Sequence, residues 1–209
     1  MAIPEKDRDF YRYTKDHRFA PMYPLLAREL VEKYDLKDGR CLDIGTGSGA
    51  LAIELAKLTT LSITAIDAEA DAVEMAKENC LQNGLSENSI KFITAPVENI
   101  PLDDSSFDII ISRGSVPFWS DYVAAFKEIK RLLAPGGVAL IGCGFSHFQT
   151  MEEVEAMRPK LSPEKKKRRF RWKQSDFLSE NLRKAEVIPY DIIDDSYGSW
   201  VEIRNSLEK

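Results

Sequence analysis

Apolar residues along this chain come in two rhythms, and the two alternate. Short apolar-rich runs (Arg40–Ile44, Leu61–Ile66, Ile90–Thr94, Phe107–Ser112, Val138–Ile141) read as strands, Leu61–Ile66 through its β-branched residues. Ile109, Ile110 and Ile111 are the clearest case. Three consecutive isoleucines demand apolar surroundings on both faces of a strand. Between these runs the spacing becomes helical. Residues 48–58 place Leu51, Leu55 and Leu58 on one face, and residues 69–83 form a helix closed by Asn83-Gly84. Residues 121–133 form another, stopped by Pro135-Gly136-Gly137. An earlier helix over 22–34 carries Leu25, Leu26, Leu30 and Val31, and Gly39 ends that region. Strand and helix in alternation predict a parallel sheet covered by helices on both sides, a three-layer α/β sandwich.

Beyond residue 145 the pattern changes. A polar, partly helical stretch (150–184) precedes two candidate strands, Ala185–Ile193 and Trp200–Arg204, joined through Ser196-Tyr197-Gly198-Ser199. That spacing suits an antiparallel hairpin at the sheet edge. With 209 residues the expected organisation is a single domain over 1–209. Within it, 1–38 is an N-terminal lid or extension, 39–145 the cofactor-binding core, and 146–209 the C-terminal helices and closing hairpin. At 44% apolar residues the chain can bury a full core. The net charge of −5 argues against a dedicated nucleic-acid binder. Three widely spaced cysteines give neither a disulfide framework nor a metal site. No run reaches the ~18 uncharged apolar residues of a membrane span. A cytoplasmic protein is expected.

The candidate chemistry lies where the first strand meets its helix, at Asp43-Ile44-Gly45-Thr46-Gly47-Ser48-Gly49. Gly45 and Gly47 let the backbone turn sharply and lie against a ligand. The same turn serves dinucleotide pyrophosphates, and glycine alone does not choose. Asp43 does: a carboxylate at the strand end opposes a pyrophosphate and suits the α-ammonium of a methionine moiety. Its alternative role is to cap the turn. Asp67 ends the second strand 24 residues later, where an acidic side chain binds a ribose diol.

These residues resemble the class I, Rossmann-like S-adenosylmethionine-dependent methyltransferases. Ala95-Pro96-Val97-Glu98, the stretch from Ile100 to Asp108, and Arg131-Leu132-Leu133-Ala134-Pro135-Gly136-Gly137 extend the likeness. Together they are similar to the ubiquinone/menaquinone-biosynthesis type of small-molecule methyltransferase. The resemblance implies a seven-stranded sheet of order 3-2-1-4-5-7-6 with strand 7 antiparallel. It implies S-adenosyl-L-methionine as donor and S-adenosyl-L-homocysteine as product. Asp43, Gly45, Thr46 and Gly47 would meet the methionine part, Asp67 the ribose and Ala68 the adenine. Pro96, Val97 and Glu98 would form the turn at the adenine, with a solvated loop position as the alternative for Glu98. Ser112, Arg113 and Gly114 would end the fourth strand beside the sulfonium.

On the acceptor side the residues point less far. Arg113 can clamp an anionic small-molecule acceptor through paired hydrogen bonds, or form an ion pair with Asp108. His147 is the candidate proton acceptor. Phe118 and Trp119 either line a pocket or pack under the next helix. Gly142 and Gly144 bracket Cys143 at a strand end where active-site loops sit. Tyr11, Tyr13, His17 and Arg18 are candidate lid residues. The basic run over 165–173, with Phe170 and Trp172 interleaved, offers another reading: an RNA or protein methyltransferase recruited through that run. A solvated helix face is its plainer meaning, and nucleic acid is disfavoured. A non-catalytic donor-binding module and a nicotinamide dehydrogenase complete the alternatives.

Overall fold

The computed structural model describes residues 18–158, 160, 162–164 and 171–205. Seven strands form one sheet: β1 (Arg40–Ile44), β2 (Ser62–Asp67), β3 (Ile90–Thr94), β4 (Phe107–Arg113), β5 (Leu133–Gly144), β6 (Tyr190–Asp194) and β7 (Gly198–Arg204). Their order is β3-β2-β1-β4-β5-β7-β6. The pairs β1–β2, β1–β4, β2–β3 and β4–β5 are parallel. β7 runs antiparallel to β5 and to β6. Around the sheet lie α1 (Met22–Tyr34), α2 (Ala50–Leu58), α3 (Ala70–Gln82), α4 (Tyr122–Leu132), α5 (Met151–Met157) and α6 (Ser175–Lys184).

The isoleucine run explains the layering. Ile109 and Ile111 point into one core with Cys41, Leu140, Leu26 and Leu30 of α1, Leu51 and Leu55 of α2, and Val154 of α5. Ile110 points into the other with Leu42, Ile141, Phe126 and Ile129 of α4, and Leu178 and Leu182 of α6. Each central strand therefore buries both sets of alternating side chains, as continuous apolar runs require.

The main departures from the sequence reading lie at β5, at β6 and at the glycines that end β5. β5 starts at Leu133, which pairs with Phe107; the regular ladder to β4 resumes only at Val138, opposite Ile109. The Pro135-Gly136-Gly137 turn is thus a bulge within the strand's span. The strand expected over Ala185–Ile193 is confined to Tyr190–Asp194. Before it, the Glu186 and Val187 N–H groups donate to carbonyls of α6, and Pro189 has no N–H to give a ladder. Gly142 and Gly144 serve the sheet: a Cβ on Gly142 would lie 2.2 Å from the Ser199 carbonyl oxygen, and one on Gly144 2.3 Å from Trp200 Nε1. They make room for Trp200, which lies opposite Gly142 on β7. Among the described residues no helix is long and apolar enough to cross a membrane.

Candidate functional site

A cleft of about 600 Å³ opens at the carboxyl ends of β1, β2 and β4. In open α/β sheets this is where ligands bind. Its floor is the glycine turn, Gly45 to Ser48. Asp67, Ala68, Pro96, Val97 and Glu98 form one end; Arg113, Phe19 and Tyr23 form the other. A second hollow of about 480 Å³ lies at the amino ends of the parallel strands. Most of its charges pair with neighbours, Asp108 with Arg40 and Arg204 with Glu202 among them.

The turn owes its shape to glycine. Gly45 has φ 68° and Gly47 φ 55°, both left-handed. A Cβ on Gly45 would come within 2.2 Å of Ser115 Cβ. The backbone N–H of Thr46 donates to the Ile66 carbonyl at 2.9 Å, fixing the turn to β2. The Gly47 N–H donates to Asp67 Oδ2 at 2.9 Å, and the Glu69 N–H donates to Oδ1 at 3.1 Å. Burial raises the Asp67 pKa despite these bonds. Each carboxylate oxygen accepts two hydrogen bonds readily, so Asp67 keeps acceptor capacity toward the cleft.

Asp43 sits beneath the turn and is 3% exposed. The Thr46 hydroxyl donates to it at 2.7 Å. Burial pushes its pKa up to about 6, the Thr46 bond opposes this, and the nearby Asp67 charge adds to it. The side chain lies behind the wall formed by its neighbours Ile44 to Ser48, not among the lining groups. It holds the turn from below and sets a negative field under it.

Other expected site residues take varied positions. Ala68, Pro96 and Val97 line the cleft. Glu98 also lines it, and it is not a free loop carboxylate: its Oε1 accepts from the Ser120 N–H, the Ser120 hydroxyl and the Asp121 N–H. Partial burial works against its charge, but these bonds win and its pKa is lowered. Ser112 is fully buried and does not reach the cleft. Its hydroxyl donates to the Ile44 carbonyl at 2.9 Å and meets Ser115 Oγ at 2.6 Å, tying β4 to β1. Phe118 stands 77% exposed at the rim, whereas Trp119 is buried against Tyr122 and Phe126.

The Arg113–Asp108 ion pair does not form. The two residues occupy opposite ends of β4, and Asp108 binds Arg40 at 2.7 Å. The guanidinium of Arg113 lies among Phe19, Tyr23 and Phe145 instead. His147 stands outside the cleft lining. Its Nδ1 is 2.6 Å from Glu29 and its Nε2 2.9 Å from Asp195. Both ring nitrogens are engaged, which removes it as a proton acceptor for a ligand in the cleft. Cys143 is partly buried against the core of α4 and α6. Among the lid candidates, Arg18 donates to the Met157 and Arg158 carbonyls at the end of α5; Tyr11, Tyr13 and His17 lie outside the described residues. Most of the 165–173 run is also outside them. Trp172 is described and is 1% exposed, inside the core, so it is no stacking platform.

Phe19 and Tyr23 were not read as site residues from the sequence. Tyr23 lies in the first turn of α1, but Phe19 sits in the turn that precedes the helix, so no helical spacing pairs the two in the sequence. Tyr23 is half-buried in the cleft wall, and desolvation raises its pKa against the opposing pull of Arg113.

Comparison with known proteins agrees with this geometry. Residues 42–141 match a methyltransferase domain family. A solved structure described as that of a candidate S-adenosyl-L-methionine-dependent methyltransferase from Methanococcus maripaludis is 30% identical; the match covers 100% of this chain and 99% of that one, with a TM-score of 0.82. A ubiquinone/menaquinone biosynthesis C-methyltransferase from Geotalea daltonii is 37% identical over 50% of this chain and 45% of its own length. A malonyl-[acyl-carrier protein] O-methyltransferase from Geobacter sulfurreducens is 30% identical over 72% of this chain and 52% of its own length. The chain therefore spans about half the length of these two curated relatives. Cleft, turn and relatives together place it in one group: the chain belongs to the class I S-adenosylmethionine-dependent methyltransferases.

Proposed function

We propose that this protein transfers a methyl group from S-adenosylmethionine to a small-molecule acceptor. The observation that carries the reading is the carboxylate of Asp67 on the Gly47 N–H. A dinucleotide pyrophosphate needs that N–H and would face Asp67 beside it and Asp43 beneath it. A nucleoside with a cationic amino-acid end meets no such conflict. Asp67 offers lone pairs to a ribose diol, Ala68, Pro96 and Val97 offer an apolar edge to a purine, and Gly45 lets a chain lie close to the backbone. The small-molecule activities of the C- and O-methyltransferase relatives support the acceptor class.

Bound there, S-adenosylmethionine supplies a methyl carbon made electrophilic by its sulfonium. The protein's part is to hold both reactants in line and to keep water out. Gly45 and Thr46 set the donor's position, and Ser112 locks β4 to β1 so that the strand tips keep their spacing. Tyr23, Phe19 and Trp119 give the cleft apolar walls. With His147 committed elsewhere, the acceptor arrives with its own nucleophilic atom or loses its proton to solvent.

Titration calorimetry with S-adenosylmethionine and with NAD tests the donor, and transfer of a labelled methyl to a panel of small acceptors tests the reaction. Saturable binding of the sulfonium donor alone is expected. Binding of NAD in its place contradicts the reading.

A further inference from the structure

Arg113 is the one cationic side chain among the described residues that line the cleft. Three rings surround it, with Phe19, Tyr23 and Phe145 centred 4.9, 5.6 and 5.8 Å from its guanidinium carbon. Its Nε donates to the Gly144 carbonyl at 3.2 Å, and Nη1 makes a long 3.4 Å contact with the Tyr23 hydroxyl. Nη2 has no acceptor among the described residues, and no described carboxylate lies in ion-pair range. The group is thus oriented, partly desolvated and without a counter-ion among the described residues. Desolvating a cation is costly, and ring faces repay only part of that cost. An incoming anion recovers the rest, through the edge that Nη2 and the second Nη1 hydrogen present.

The surroundings limit what carries that anion. On this side the cleft is walled by Phe19, Tyr23 and Trp119, and Phe118 stands exposed at its rim. An apolar body would cover that ring and gain from doing so.

We propose that the methyl acceptor is a small carboxylate with an aromatic or similarly bulky apolar body, its anion seated on the free edge of Arg113. This rests on the methyl-donor reading of the adjoining half of the cleft. The donor's own methionine carboxylate has the same chemistry, and the test separates the two sources.

Benzoate and phenylacetate, with benzamide and phenylacetamide as neutral counterparts, are titrated calorimetrically into protein saturated with S-adenosylhomocysteine. Both carboxylates should bind the loaded wild type about tenfold or more tighter than their amides, the weight of a charge-assisted hydrogen-bonded contact. R113Q should erase that preference, and R113K should restore part of it. Affinity for S-adenosylhomocysteine should change less than about threefold in either variant. The comparison of acid with amide on the wild type needs no variant to fold. Equal affinity for acid and amide overturns the proposal, as does failure of either acid to bind. So does competition between the acids and S-adenosylhomocysteine, or loss of S-adenosylhomocysteine affinity in R113Q, since Arg113 would then serve the donor. If S-adenosylhomocysteine itself fails to bind the wild type, the donor reading has failed, a result distinct from all of these.

Discussion

Asp43 is an acid with almost no solvent contact, and its one hydroxyl partner, Thr46, does not offset its burial. Its folded pKa of about 6 stands above the ordinary aspartate value. The folded state therefore holds this proton more tightly than the unfolded chain does. Stability from that proton is complete below about pH 4 and is lost as pH rises through about 6. D43N should raise the melting temperature of ligand-free protein at pH 8, by an amount worth up to about 3 kcal/mol, and the gain should vanish near pH 4. Thermal melts at the two pH values check this; an equal difference at both would contradict it. Gly45 makes a second residue-scale claim. G45A puts a Cβ into Ser115 on a left-handed backbone, so donor affinity should fall by about tenfold or more in a calorimetric titration. The turn itself was legible in the sequence, because the need for glycine there is local. The duties of Glu98 and Ser112 were not. Glu98 is held by residues 22 and 23 positions away, and Ser112 by a carbonyl 68 positions away, separations that no local pattern encodes.

His147 joins elements that are distant in sequence. Glu29 comes from α1 and Asp195 from the β6–β7 turn, while the Tyr197 ring packs at 4.4 Å. Ser146 adds a hydrogen bond to Glu29, so this carboxylate gathers the start of the α5 connection onto α1. Partial burial disfavours the charged imidazole, but the bonds to Asp195 and Glu29 outweigh it and the pKa is raised. A raised histidine contributes stability that is complete below about pH 6.5 and lost as pH rises through the folded pKa. H147Q should lower the melting temperature more at pH 5.5 than at pH 9. A loss independent of pH would show that packing, not charge, does the joining. The elements themselves were readable wherever apolar rhythm and punctuation agreed, as at β1, β3, α2 and α3. They were misread where a tertiary partner decided the outcome. The segment before Pro189 is drawn into the end of α6 by backbone hydrogen bonds, and Gly142 and Gly144 yield to the bulk of Trp200.

At the scale of the whole molecule, one sheet separates two cores, and the carboxyl ends of β1, β2, β3 and β4 meet at the cleft. The three-isoleucine strand and the strand–helix alternation made this architecture visible in the sequence, and the antiparallel hairpin was visible in the changed rhythm of the tail. Both curated relatives match over little more than half their length at most, so the acceptor is this protein's own problem and Arg113 the first place to look. The donor site is the claim on which the rest stands. Calorimetric titration of S-adenosylhomocysteine into wild type and D67A measures it directly. Single-site binding by the wild type, weakened about tenfold or more in D67A, is the expected result. Undiminished affinity in a folded D67A protein would contradict it.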